Sequence, residues 1–135
     1  METFSVATNS RTQLVDITGD IRKIAKAAKI KDGILQVFVP HTTAGITVNE
    51  GADPDVKDDI LTTLNKLIPF EARYRHLEGN APAHVKASIV GNSLALQIED
   101  GSLALGTWQA VYLCEFDGPR RRKVWVKVIG NPKSK

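Results

Sequence analysis

The chain has a single cysteine among its 135 residues, few aromatic side chains and no long uninterrupted apolar run. One thiol cannot form an intrachain disulfide, so stability must come from a packed core, which a chain of this length can build. No window approaches the ~20 apolar residues of a transmembrane helix. The first residues, Met1 to Phe4, lack the basic and apolar regions of a secretory signal. We therefore expect one cytoplasmic domain, residues 1–135, with no membrane partner.

The excess of positive charge is small and local. The formal net charge is +3, and much of the excess comes from the run Arg120 to Lys123. Such a run favours anionic ligands weakly. A nucleic-acid surface would need exposed aromatic residues among a broader basic face, whereas the segment 53–59 is acidic. We therefore do not expect a nucleic-acid partner.

Helices are predicted from apolar spacing and from residues that favour helix ends. Asp53 and Pro54 fit the N-cap and first position of a helix. Its apolar stripe is Val56, Ile60, Leu64 and Leu67. An earlier helix, beginning near Thr18, is expected to end at Gly33, and a shorter third helix near Pro82 places His84 in its first turn.

Strands are predicted from alternation of apolar and polar residues. Segments 3–7 and 13–17 should form a hairpin, and segments 34–39 and 45–50 should meet at a hairpin-like corner. The C-terminal third, from residue 93 to residue 129, is expected to form an antiparallel meander. Helices and antiparallel strands in one short chain indicate the α+β class, with two to three helices.

The three histidines, His41, His76 and His84, lie beside turns or at a helix start. Imidazole is the commonest neutral nitrogen ligand of zinc, and three protein ligands with an open position form the usual catalytic arrangement. Each histidine alone is more simply explained as a surface or part-buried residue. Their shared context at strand ends and loops favours a joint site. We expect them to converge on a divalent metal, zinc or magnesium.

Asn49 and Glu50 close an apolar strand and are candidate catalytic residues. Glu50 could orient a histidine ligand or act as a general base, because metal-bound imidazoles commonly donate their second N–H to a carboxylate. The alternative is ordinary strand-end chemistry. That alternative explains the nearby Asp53 fully, as a helix cap, but explains Asn49 and Glu50 only in part.

A possible anion site is formed by Gly106, Thr107, Gln109 and Arg122. Glycine permits close backbone approach, and the hydroxyl, amide and guanidinium groups can bind phosphate oxygens. A buried tryptophan beside a glycine turn explains the first three residues equally well. A solvated hairpin tip explains the arginine run, except for Arg122, which enters the final strand.

Together these segments resemble the YjbQ-like family, also called secondary thiamine-phosphate synthase enzymes. The matching motifs are His41 to Glu50, His76 with Glu78 to Asn80, His84 to Ser88, Ser93 to Gln109, and Arg120 to Arg122. The resemblance implies an α+β domain with a mainly antiparallel, sandwich-like sheet, assembled as a homotrimer. It also implies a polar pocket near the subunit boundaries that gathers the histidines and can hold a metal.

The activity implied by the resemblance is thiamine-phosphate synthesis, a transferase reaction that joins hydroxymethylpyrimidine diphosphate to thiazole phosphate. The substrate would thus be a phosphorylated small molecule. Departure of diphosphate is usually assisted by magnesium bound through oxygens, whereas three imidazoles favour zinc or a similar ion. This tension leaves two alternatives open. One is a metal-dependent hydrolase of a phosphorylated or acylated metabolite with Glu50 as base, and the other is a non-catalytic trimer that binds a small ligand or metal.

Overall fold

Two antiparallel sheets and three helices make up the part of the chain that the computed structural model describes, residues 1–76 and 78–133. In chain order the elements are β1 (Glu2–Ala7), β2 (Gln13–Asp16), α1 (Thr18–Ala27), β3 (Ile30–Phe38), β4 (Ala44–Glu50), α2 (Pro54–Leu67), α3 (Ala81–Val90), β5 (Ser93–Glu99), β6 (Ser102–Ala104), β7 (Gln109–Glu115) and β8 (Arg121–Pro132). One sheet has the strand order β1-β8-β3-β5-β6, and the other has the order β2-β7-β4. The expected α+β class with antiparallel sheets is confirmed. Residues 77, 134 and 135 of the expected domain lie outside the described residues.

The core has two apolar layers, one on each side of the three-stranded sheet. Val111 and Leu113 of β7 pack towards the five-stranded sheet, and Tyr112 and Cys114 pack with residues of α2 and α3. β7 therefore carries a nearly continuous apolar run, as expected of a strand that is covered on both faces. Each fully buried aliphatic side chain contributes roughly 1.5–3 kcal/mol to this packing.

The predicted strand pairings are wrong where the chain crosses from one sheet to the other. β1 pairs with β8 and β2 pairs with β7, so segments 3–7 and 13–17 form no hairpin. β3 and β4 also belong to different sheets, and β7 leaves the expected C-terminal meander to join the smaller sheet. The turns were located correctly, but turn residues do not determine which sheet a strand joins. Long-range packing of the apolar faces does.

Helix boundaries agree with the sequence where local signals fixed them. Asp53 caps α2, because its Oδ1 accepts a hydrogen bond of 2.9 Å from the backbone N–H of Asp55. α1 does not extend to Gly33: it ends at Ala27, and Lys29 takes a positive φ of 54°. Gly33 lies in β3, where a Cβ atom would come within 2.3 Å of the carbonyl oxygen of Ile129. Close strand approach, and not a helix end, requires glycine there.

The apolar stripe of α2 is shorter than predicted. Val56, Ile60 and Leu64 are half-buried, whereas Leu67 is 72% exposed at the last turn. Within residues 1–76 and 78–133, none of the helices is both long and apolar enough to cross a membrane.

Candidate functional site

His41 lies just after β3, where the chain crosses between the two sheets. Its Nε2 atom accepts a hydrogen bond of 2.8 Å from the backbone N–H of Lys123. A neutral imidazole that accepts at Nε2 carries its proton at Nδ1, so this bond assigns the tautomer. Burial, followed by the charges of Arg122 and Arg120, lowers the pKa of His41, while Glu115 opposes the shift. At neutral pH His41 is therefore a neutral donor through Nδ1.

The structure brings His41 and His84 to one cavity and places His76 beside His84. His41 and His84 line one cavity of about 310 Å³, here called the histidine cavity. Its lining residues are His41, Thr42, Ala44, His84, Ala87, Ser88 and Asn92. The ring of His76 meets that of His84 edge to face, with the centroids 5.2 Å apart. His76 also lies 3.6 Å from an exposed carboxylate oxygen of Glu78.

The predicted metal-binding function is wrong, because this arrangement does not fit a metal ion. Across residues 1–76 and 78–133, no group of three or more His, Cys, Asp or Glu side chains is placed to hold one. The Nε2 lone pair of His41 is occupied by Lys123, and its Nδ1 carries the ring proton. His76 and His84 pack ring edge against ring face. The alternative function, a metal-dependent hydrolase, is therefore also wrong. A zinc or magnesium cofactor bound in some other way stays a prediction.

Arg122 is buried in an ion pair with Glu115, which is fully buried. Its Nε donates to Glu115 Oε1 at 2.9 Å, and its Nη2 donates to Thr43 Oγ1 at 2.8 Å. Glu115 Oε1 also accepts from the Thr8 hydroxyl at 2.7 Å. Burial alone would raise the pKa of Glu115, but donors from Arg122, the Asp117 backbone and Thr8 outweigh it and lower that pKa. Among the described residues Arg122 thus donates five hydrogen bonds inside the protein, three to Glu115 and two to Thr43.

Sequence analysis missed Glu115, although one signal for it was present. It is the single charged residue in the apolar segment from Val111 to Phe116. A carboxylate in such a strand requires a buried partner. Arg122 supplies that partner, and the backbone N–H of the next residue, Lys123, sets the tautomer of His41. The buried pair therefore supports the loop that carries His41.

The predicted site residues around Glu50 and Gln109 lie at the end of the smaller sheet that is opposite to Glu115. Glu50 pairs with Gln109, whereas Ala44 pairs with Glu115 six positions along β4. At ~3.3 Å per residue, the two ends are roughly 20 Å apart. Arg122, which contacts Glu115, therefore does not share a pocket with Gln109 in one chain.

Around Gln109 the structure shows a second, shallower group of polar residues. Val48, Asn49, Glu50, Trp108 and Gln109 line a cavity of about 270 Å³. Glu50 Oε2 accepts from the backbone N–H of Ala52 at 2.9 Å, and Asn49 Oδ1 accepts from that of Glu50 at 2.7 Å. Glu50 forms no hydrogen bond with a histidine among the described residues. The catalytic roles of Asn49 and Glu50 stay predictions.

Gly106, Thr107 and Gln109 form a closed turn before β7. Gln109 Oε1 accepts a hydrogen bond of 2.7 Å from the backbone N–H of Gly106, and all three residues are exposed. The side chain of Trp108, between them, is 65% exposed. The alternative explanation of this turn by a buried tryptophan is therefore wrong, and its anion-binding role stays a prediction.

Comparisons with known proteins agree over almost the whole chain. Residues 2–131 match the family described as UPF0047 protein YjbQ-like. A UPF0047 protein of Methanocaldococcus jannaschii is 53% identical over 95% of this chain and 93% of its own length. UPF0047 protein YugU of Bacillus subtilis is 45% identical over 96% of this chain and 99% of its own length.

Solved structures show the same fold. A conserved protein of the YjbQ/UPF0047 family from Clostridium acetobutylicum has a TM-score of 0.94 and 51% identity, covering 96% of this chain and 100% of that one. A YbjQ-like protein of unknown function from Sulfolobus solfataricus has a TM-score of 0.93 and 34% identity, covering 96% of each chain.

These comparisons correct the predicted activity. The matched proteins carry only the UPF0047 or YjbQ-like family name, and the one from Sulfolobus solfataricus is called a protein of unknown function. None of these names refers to thiamine-phosphate synthesis or to a bound metal. The prediction of a thiamine-phosphate synthase type of transferase is therefore wrong. The motifs from His41 to Arg122 did identify the relatives correctly, because they fall within the matched segment. The chain belongs to the UPF0047 family of YjbQ-like proteins.

Proposed function

We propose that the histidine cavity binds a phosphorylated small molecule. The observation that carries the proposal is that side chains from two separate segments, the loop after β3 and helix α3 with the residues that follow it, line this cavity together. His41 and His84 line it together, and His76 contacts His84. The donors available to phosphate oxygens are the Nδ1–H of His41, a ring N–H of His84 and the exposed side chains of Thr42 and Asn92.

The charge around the cavity supports an anionic ligand. The pKa of His41 is lowered first by burial and then by Arg122 and Arg120, which disfavour a second positive charge there. Glu115 and Asp117 are paired with these two arginines, so the positive charge left to attract an anion is that of the exposed basic residues beside them. Arg121 and Lys123 are exposed nearby on β8, and neither forms an ion pair within the described ranges.

Inorganic phosphate is the simplest probe of the proposal. We expect it to bind the wild-type protein and to raise the pKa of His41, because an adjacent anion stabilises imidazolium. Substitution His84→Ala should weaken binding about tenfold or more, the scale of one charge-assisted hydrogen bond. Titration calorimetry at fixed ionic strength measures both affinities.

A control variant separates a local site from general charge attraction. Lys26→Ala removes an exposed positive charge on α1 and should leave phosphate affinity unchanged. Equal binding by the wild type and His84→Ala, or no binding by the wild type, would contradict the proposal.

We also propose that the protein is a homotrimer. The family resemblance supports this, and so does an uncovered apolar patch on the five-stranded sheet. Ile34 and Ile129 pair across β3 and β8 and are 54% and 66% exposed. Trp125, the sequence-based reason for expecting an interface, is 37% exposed and packs partly on Phe38. Two further copies of the chain would bury Ile34 and Ile129.

Light scattering tests the trimer directly. The expected mass is three times the 14.8 kDa of one chain. A monomer at micromolar concentration would contradict the proposal.

We propose, in addition, that the protein binds its phosphorylated ligand in the cytoplasm. Cys114, buried and without a disulfide partner, is compatible with a reducing compartment.

A further inference from the structure

A second cavity adjoins the histidine cavity. The adjoining cavity, about 430 Å³, is lined by Phe38, Val39, Pro40, His41, Thr42 and Asn92. Three of those residues, His41, Thr42 and Asn92, also line the histidine cavity. The two cavities are therefore neighbours that meet at these three residues.

The adjoining cavity differs from the histidine cavity in the chemistry of its remaining wall. Phe38, Val39 and Pro40 are apolar, and no charged side chain lines this end. Phe38 and Pro40 are half-buried, so parts of both side chains face the cavity or solvent. A groove with a donor-rich end and an apolar end fits a ligand with the same two parts.

Phe38 is held firmly enough to form such a wall. It is the last residue of β3 and lies directly opposite Trp125 of β8. The two rings pack with their centroids 5.6 Å apart and a tilt of 31°. Aromatic pairs at this spacing are attractive, so the ring of Phe38 is positioned before any ligand arrives.

We propose that the two cavities form one site for a phosphate monoester with an apolar remainder. The phosphate lies among His41, His84 and Asn92, and the remainder packs against Phe38 and Pro40. This inference rests on the proposed function, because the histidine cavity supplies the anion contacts. It adds that affinity depends on the apolar part of the ligand.

Three probes separate the two parts of the site: inorganic phosphate, methyl phosphate and phenyl phosphate. Phenyl phosphate is expected to bind the wild type about tenfold more tightly than methyl phosphate, because its ring removes apolar surface from water. Phe38→Ala should reduce this preference to about twofold or less, while inorganic phosphate binds as before. Calorimetry at one ionic strength gives all the affinities.

Leu67→Ala is the matched control. Leu67 is an exposed apolar residue at the end of α2, and it lines neither cavity and lies outside the proposed trimer interface. This variant should retain the full preference for phenyl phosphate. Thermal unfolding of both variants shows whether each is folded during the titration, and Phe38→Leu replaces Phe38→Ala if the latter is unfolded.

The possible outcomes distinguish this inference from the function on which it rests. Failure of inorganic phosphate to bind the wild type overturns both. If phosphate binds and depends on His84, two results overturn the apolar subsite alone. One is equal affinity for phenyl and methyl phosphate, and the other is an undiminished phenyl preference in Phe38→Ala. A preference lost in Phe38→Ala and kept in Leu67→Ala supports the inference.

Discussion

Substitution Arg122→Ala is expected to lower the free energy of unfolding by about 3–5 kcal/mol, the usual result of removing one partner of a buried ion pair. Glu115 would keep its buried carboxylate and its bonds from Thr8 and the Asp117 backbone, but lose the guanidinium. Thr43 would lose a donor as well. An uncompensated charge in the core costs more than the pair contributes when it is intact.

Chemical denaturation at neutral pH measures this loss. The matched control is Arg121→Ala, which removes the exposed arginine next to Arg122 and should change stability by no more than about 0.5 kcal/mol. A loss below about 1 kcal/mol in Arg122→Ala would show that the guanidinium is not held as the structure has it. Arg122 would then be available to bind a ligand, as the sequence suggested.

The same pair makes stability depend on acid. The pKa of Glu115 in the folded chain is below its ordinary value of 4.5, because its donors outweigh burial. The contribution of Glu115 to the free energy of unfolding is therefore fully present above pH 4.5, and it is lost as the pH falls through the folded-state pKa. The Arg122→Ala variant lacks the ion-pair part of that contribution.

The second large effect concerns Lys86, a fully buried lysine on α3. Its Nζ donates to Asn65 Oδ1 at 2.6 Å and lies 4.0 Å from the ring centroid of Phe70. Lys86 forms no ion pair with the described residues. Burial, and then the charge of Arg11, lowers the pKa of Lys86 from 10.5 to about 8. The charged form of Lys86 is therefore less favourable in the folded chain than in the unfolded chain.

We expect wild-type stability, measured relative to the Lys86→Met variant, to rise by ~3 kcal/mol between pH 8 and pH 10.5. In this range the unfolded chain keeps the Lys86 proton and the folded chain releases it, so rising pH favours folding. Methionine is of similar length and does not titrate. Deprotonation of Cys114 acts in the opposite direction, because burial raises its pKa to about 12, but it cancels in the comparison.

Denaturation curves of both proteins at a series of pH values give this difference. Lys66→Met, which replaces an exposed lysine of α2, should follow the wild type throughout. A constant difference between wild type and Lys86→Met would mean that the ammonium group is solvated or paired.

The sequence predicted those parts of the fold that neighbouring residues determine. Asp53 and Pro54 fixed the start of α2, and α3 ends at Val90 because Gly91 takes a positive φ of 94°. The partners of β1 and β2 depend instead on strands more than 90 residues away. No local signal specifies such pairings.

The candidate site, like the fold, was predicted only where neighbouring residues determine the structure. The positions of His41 after a strand and of His84 in a first helical turn were predicted, and both residues line one cavity. The grouping of Arg122 with Gln109 within one chain failed, because Gln109 begins β7, whereas Arg122 of β8 contacts Glu115 at the other end of β7. The metal hypothesis failed because a backbone N–H, which has no sequence signal, occupies the imidazole nitrogen of His41.

The pKa of His41, followed by its imidazole NMR resonances, tests the proposed anion site most directly. Sulfate is a suitable probe, since it stays a dianion while histidine titrates, and chloride at equal ionic strength is the reference. An anion bound beside His41 should raise its pKa by about one unit. Sulfate affinity should accordingly increase as the pH falls through the range between the two values. A pKa of His41 that is the same in sulfate and in chloride would contradict the proposal that the histidine cavity binds phosphorylated ligands.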